Sequence, residues 1–158
     1  MLQAVEAETT SASGSTLGRV HHVAVLVRDL EAAVRLFRDA LGLPLEAIKE
    51  IPADGVRIAF LATGESKLEL VEPVDRATGV ARYLEEHGEG FHHVCYEVAD
   101  LAATLARYAG AGVELIDRSP RRGAEGPVAF LHPRSCRGVL VELIEAPGGP
   151  AWRALGYS

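Results

Sequence analysis

One stretch of this chain is written twice. Val20-His21-His22-Val23-Ala24-Val25 runs on into Val27-Arg28-Asp29-Leu30. It returns 71 residues later (His22 to His93) as Phe91-His92-His93-Val94-Cys95-Tyr96, running on into Val98-Ala99-Asp100-Leu101. A second echo follows, in which Leu68-Glu69-Leu70-Val71-Glu72-Pro73 comes back as Val141-Glu142-Leu143-Ile144-Glu145-Ala146-Pro147. Self-similarity at a fixed spacing constrains a fold more than any single motif, because each copy must become the same supersecondary unit.

Each copy opens with an apolar strand carrying a histidine near its start. An Asp then serves as N-cap for a helix, over about 30–41 in the first copy and about 101–109 in the second. Strands follow at about 44–51, 56–62 and 67–72, and again at 113–117, 128–131 and 139–145. The pattern is βαβββ twice, with a linker helix over 76–89 between module one (19–75) and module two (90–147). The expected fold class is therefore α+β: two tandem βαβββ modules within one domain, 18–147, curled into an incompletely closed, cupped barrel around a metal site. Residues 1–17, rich in Ser, Thr and Ala with Glu6 and Glu8, read as a disordered tail and not as a signal peptide. Residues 148–158, with Trp152, read as a C-terminal tail.

Period-two alternation sorts the side chains. In the first strand Val23, Val25 and Val27 share the face toward a helix, and His22, Ala24 and Leu26 share the other. By the repeat, His22 and His93 both point into the cup, while His21 and His92 belong to the helix-packing layer. Glu69 and Glu142 stand in the middle of apolar strands, where a lone buried carboxylate is costly and needs a partner. Glu72 and Glu145, near strand ends, are expected to be solvated. Two imidazoles and two carboxylates in one cavity suit a divalent cation. Nitrogen and oxygen donors without sulfur favour Co²⁺, Mn²⁺, Mg²⁺, Ni²⁺ or Zn²⁺.

Composition excludes several other functions. A formal charge of −6 gives no basic face for nucleic acid. No apolar run is long enough to cross a bilayer. Two cysteines, Cys95 and Cys136, make no disulfide framework, so the cytoplasm is the expected compartment.

The motifs have a specific likeness. His21-His22-Val23-Ala24-Val25, Phe37 to Leu43, Lys67 to Pro73 and Gly88 to Val94 resemble the vicinal-oxygen-chelate superfamily. The turn Phe130-Leu131-His132-Pro133-Arg134-Ser135, leading to Gly138-Val139-Leu140-Val141-Glu142-Leu143, resembles the methylmalonyl-CoA epimerases within it. The resemblance spans about Arg19 to Ala146. It implies interconversion of (R)- and (S)-methylmalonyl-CoA through a metal-stabilised enolate, with one divalent ion per chain, Co²⁺ first, held by His22, Glu69, His93 and Glu142. It also implies a homodimer. Some members carry a further carboxylate just after the Gly-Val of the third strand; here Gly55-Val56-Arg57 is followed by Ile58, which cannot take a proton. Glu142 and Glu69, as labile ligands, or a metal-bound water would then have to serve, and the two carboxylates are the expected catalytic residues. For the acyl-CoA substrate, Arg122, Arg134 and Ser135 are the expected contacts, with Arg118 and Arg121 in the same basic loop. The competing readings are a glyoxalase-type lyase or isomerase, another superfamily enzyme acting on a related acyl-CoA, an Fe²⁺ dioxygenase, which a carboxylate at position 69 disfavours, and a metal-free binding protein.

Overall fold

A computed structural model describes residues 17–158. The tail expected over 1–17 lies outside the described residues except for Leu17. Module one comprises β1 (Val20–Leu26), α1 (Leu30–Arg35), β2 (Leu45–Ile51), β3 (Val56–Thr63) and β4 (Ser66–Pro73). After α2 (Gly79–His87), module two comprises β5 (Gly90–Val98), α3 (Leu101–Gly110), the two-residue β6 (Arg121–Arg122), β7 (Pro127–Leu131) and β8 (Val141–Glu145). A last helix, α4, spans Pro150–Ala154.

All eight strands form one sheet in the order β2-β3-β4-β1-β5-β8-β7-β6. In each module the first strand runs parallel to the last (β1 with β4, β5 with β8) and the other pairs are antiparallel. The modules meet where β1 and β5 pair antiparallel. This is the architecture expected from the repeat, a curled half-barrel with the pseudo-twofold between β1 and β5. Alternation sets the two sides: Ala24 and Leu26 pack inside with Val56, Ile58, Phe60 and Val71, while Val27 packs outside with Leu30 and Val34 of α1.

Both helix starts are built identically. Asp29 caps α1 by accepting from the Ala32 N–H (2.8 Å), and Asp100 caps α3 by accepting from the Ala103 N–H (2.9 Å). The strand-end glutamates complete the caps. Glu72 accepts from the Leu30 N–H (2.7 Å) and Glu145 from the Leu101 N–H (2.8 Å). Glu145 also accepts from the Ala151 and Trp152 N–H groups, so it is fully buried and starts two helices. The expectation that these two carboxylates are solvated is corrected: orphan N–H groups at helix starts attract them inward. Gly149 suits its place beside Glu145, because a Cβ there would run into the Glu145 carboxyl group.

Two other expectations change, and the C-terminal segment finds its place. The helix expected over 30–41 is α-helical only to Arg35 and widens into a π turn over Leu36–Ala40, leaving Leu36 and Leu41 exposed. The strand expected at 113–117 is reduced to a single bridge, Leu115 to Leu131, so module two has one full strand fewer. The 148–158 segment packs on module two: Trp152 Nε1 donates to Glu145 O (2.8 Å), and the Tyr157 hydroxyl accepts from the Gly123 N–H (3.0 Å).

Candidate metal centre

The site grows from the β1·β5 junction and the strands flanking it. Register places Ala24 beside Glu69 and Cys95 beside Glu142, so in each module a small side chain leaves room for the carboxylate next to it. On the far side, Phe60 lies beside Glu69 and Phe130 beside Glu142. Each phenyl ring meets the histidine of its module edge-on, Phe60 with His22 at 6.2 Å and Phe130 with His93 at 5.2 Å between centroids. The group of His, Glu, Phe and small residue is thus present twice.

The structure brings His22, Glu69, His93 and Glu142 together, all buried. His22 Nε2 lies 3.2 Å from Glu69 Oε2, 3.0 Å from Glu142 Oε2 and 3.2 Å from His93 Nε2. His93 Nε2 lies 3.0 Å from Glu142 Oε2 and 3.6 Å from Glu69 Oε2. Donor atoms about 2.0–2.2 Å from one ion, at right-angle to tetrahedral separations, lie about 2.9–3.6 Å apart. The spacings and the N₂O₂ donor set therefore fit a divalent cation. Among the described residues, the ion-pair partners of Glu69 and Glu142 are the two histidines alone. The cluster consequently demands positive charge. Burial works against a charged His22, yet hydrogen bonds to Cys95, Glu142 and Glu69 outweigh it and hold its pKa far above the usual imidazole range. Burial likewise opposes ionisation of Glu142, but the His93 charge and the hydrogen bonds from both rings hold its carboxyl far below the usual range. Burial raises the thiol of Cys95, which lies directly behind the site.

The second histidine of each doublet requires a correction. Strand parity assigns His21 and His92 to the helix-packing layer. In β1·β5 the register slips between Val20/His22 and between Ala24/Val25, so His21 is an extra residue on β1 and His92 an extra residue on β5. These are β-bulges, at which alternation fails and neighbouring side chains can share a face. His21 Nδ1 lies 2.9 Å from His22 Nδ1, and His92 Nδ1 lies 2.8 Å from His93 Nδ1. Burial, then the neighbouring His22, lowers the pKa of His21; burial, then His93, pushes His92 down to about 4. Two consecutive histidines at corresponding places in a repeat are the available signal for this, but alternation conceals it.

A cavity of about 600 Å³ opens in front of the cluster, with Glu69, His92, His93 and Glu142 in its wall. Module one supplies an apolar side, including Val56, Ile58 and Val71; module two supplies Val128 and Phe130. Ile58 and its counterpart Val128 both face the cavity, so neither half offers a carboxylate at that level. Arg121 is the one Lys or Arg among the described lining residues. Its guanidinium lies over Phe130 (5.5 Å), 3.4 Å from Asp117 and 3.6 Å from Asp54 of module one. The loop carrying it crosses to module one, where Lys49 donates to Ala124 O (3.1 Å) and Lys67 pairs with Glu125 (2.9 Å).

The expected substrate contacts lie elsewhere. Arg122 is exposed, lies over the Tyr157 ring (4.7 Å) and donates to Leu155 O. Arg134 is exposed and pairs with Glu114 (3.1 Å), and the Ser135 hydroxyl accepts from the Glu114 N–H (2.9 Å). None of the three lines the cavity. Alternating residues of a two-residue strand point opposite ways, which is why Arg121 is inside and Arg122 outside.

The model of the glyoxalase/bleomycin resistance protein/dioxygenase superfamily matches residues 21–130. The chain is 41% identical over 130 residues to an ethylmalonyl-CoA/methylmalonyl-CoA epimerase of Cereibacter sphaeroides, covering 80% of this chain and 97% of the relative. It is 39% identical over 132 residues to the mitochondrial methylmalonyl-CoA epimerase of Mus musculus, covering 82% and 75%. Among solved structures, a variant of Streptomyces coelicolor methylmalonyl-CoA epimerase in complex with 2-nitronate-propionyl-CoA superposes with a TM-score of 0.80 at 34% identity, covering 85% of this chain and 98% of the other.

Proposed function

The chain belongs to the methylmalonyl-CoA epimerases of the glyoxalase/bleomycin resistance protein/dioxygenase superfamily, and from that premise we propose how its residues carry the reaction. The reaction is the interconversion of (R)- and (S)-methylmalonyl-CoA. The observation that carries the reading is the convergence of two imidazoles and two carboxylates at the wall of a cavity, each Nε2 lying 3.0–3.6 Å from both carboxylates and 3.2 Å from the other ring. His22, Glu69, His93 and Glu142 would hold a divalent cation (Co²⁺ first among Co²⁺, Mn²⁺, Mg²⁺, Ni²⁺ and Zn²⁺), which would supply Lewis-acid stabilisation of the charge that develops as C2 loses its proton.

Inversion at C2 needs a proton taken from one face and returned to the other. Glu69 and Glu142 come from opposite modules, one for each face, and general acid–base work needs each within hydrogen-bond reach of the C2 proton. Ile58 and Val128 take no proton, and we assign this work to the two carboxylates of the cation site. Arg121 offers the cavity's positive charge to an anionic group of the substrate. Arg122, Arg134 and Ser135, outside the cavity, suit the phosphates of the CoA portion. A homodimer and a cytoplasmic location complete the proposal. Exposed Leu36 and Phe91 on the helix side give a second copy apolar surface to cover, and Cys95 and Cys136 are both free thiols, as in a reducing compartment.

The apolar side wall of Val56, Ile58 and Val71 also favours a second substrate with a larger alkyl group at C2, such as ethylmalonyl-CoA. The test is a chiral assay of (S)-methylmalonyl-CoA with chelator-stripped protein. Stripped protein should be inactive and regain activity at about one Co²⁺ per chain. Full activity after stripping would refute the cation, and no interconversion under any loading would refute the activity.

A further inference from the structure

We infer that His21 and His92 are positioning residues for the cation site, each accepting the Nδ1 proton of the ligand histidine beside it. This rests on the reading that the four converging side chains hold a cation. A neutral imidazole carries its proton on one of two nitrogens. Nε2 of His22 can offer a lone pair to a cation held with Glu69 and Glu142 only if the ring is neutral and its proton sits on Nδ1. A buried N–H without an acceptor is costly. His21 Nδ1, 2.9 Å away, is that acceptor, and His92 Nδ1 at 2.8 Å serves His93 in the same way.

The backbone is shaped for this contact. In a regular strand His21 and His22 would stand on opposite faces of the sheet, and their Nδ1 atoms could not meet. The bulge at His21 and the bulge at His92 bring each pair to one face, and they do so at corresponding places in both modules. Accepting at Nδ1 fixes the outer ring as the Nε2–H tautomer. The Nε2 of His21 then faces Glu125 Oε2 at 3.8 Å, a carboxylate also held by Lys67, so a line runs from carboxylate through two imidazoles to the site. The His92 ring instead meets Tyr83 edge-on at 5.2 Å. Metal-binding histidines generally have their second nitrogen anchored, most often on a carboxylate or carbonyl. Here the anchor is a second histidine, which accounts for the doubled motif.

The experiment uses the full chain, stripped with chelator and titrated with Co²⁺ alone against a chromophoric competitor, with the Co²⁺ visible absorption recorded. Asparagine presents an acceptor oxygen close to where Nδ1 stood, and leucine presents none. His21→Leu and His92→Leu should each weaken Co²⁺ binding about 10–100-fold. His21→Asn and His92→Asn should recover most of that affinity and the wild-type absorption. Leucine variants that bind Co²⁺ as tightly as wild type overturn the inference. So do asparagine variants that lose as much as the leucine ones, since the rings would then matter only as packing. Wild-type protein that takes up no Co²⁺ overturns the cation reading itself and the inference with it, and the wild-type titration shows this separately from the variant ratios.

Discussion

Module one and module two hold the same four-part group and differ in nearly everything around it. Module one has three full strands after its helix and presents Val56, Ile58 and Val71 to the cavity. In module two the corresponding first strand shrinks to one bridge, and a loop bearing Arg121 takes its place. The ligands obey the pseudo-twofold while the walls do not. A reaction that inverts one carbon needs chemical groups on two opposite faces, which a duplication supplies. It also needs an unsymmetrical pocket, because the two ends of its substrate differ.

The largest expected effect tests the symmetric half of that comparison. His22→Ala and His93→Ala should each weaken Co²⁺ binding by more than the roughly 100-fold ceiling expected for the outer histidines, and by similar amounts, in chelator competition. A loss confined to one of them would break the equivalence of the modules. Next, Glu69→Gln and Glu142→Gln should each lower kcat by about 10²–10⁴-fold, the usual contribution of a general acid or base. A variant that still exchanges the C2 proton of one epimer with D₂O without forming the other would assign the remaining carboxylate to that epimer's face.

Stability should show the asymmetry. Phe60 is 1% exposed, so Phe60→Ala should cost about 3–5 kcal/mol in urea unfolding. Phe130 is only partly buried beside the cavity, and Phe130→Ala should cost less. The smallest effect concerns the thiols. Burial raises the pKa of Cys95 and leaves its side chain inaccessible, while Cys136 is half-buried. A thiol reagent at pH 8 should modify one cysteine in the native protein and two in denaturant.

The repeat makes the order of strands, the capping aspartates and the inward direction of His22 and His93 legible in the sequence, because each depends on local pattern. Three features are not legible there, each for a physical reason. The bulges add one residue to a strand, and no composition signal marks that, so alternation puts His21 and His92 on the wrong face. Glu145 reads as solvated because the N–H groups it accepts come from two helices distant in sequence. Arg121 and Arg122 are neighbours of identical type, and only strand pairing with β7 decides which one enters the cavity.

The central claim is that one cation site shared by both modules lets the chain remove and return the proton at C2. It is tested most directly by following (S)-methylmalonyl-CoA in D₂O by NMR with Co²⁺-loaded protein. Deuterium should appear at C2 together with both epimers, and both signals should be lost in His22→Ala and in His93→Ala alike. Exchange no faster than with Co²⁺ alone in the same buffer would contradict the claim.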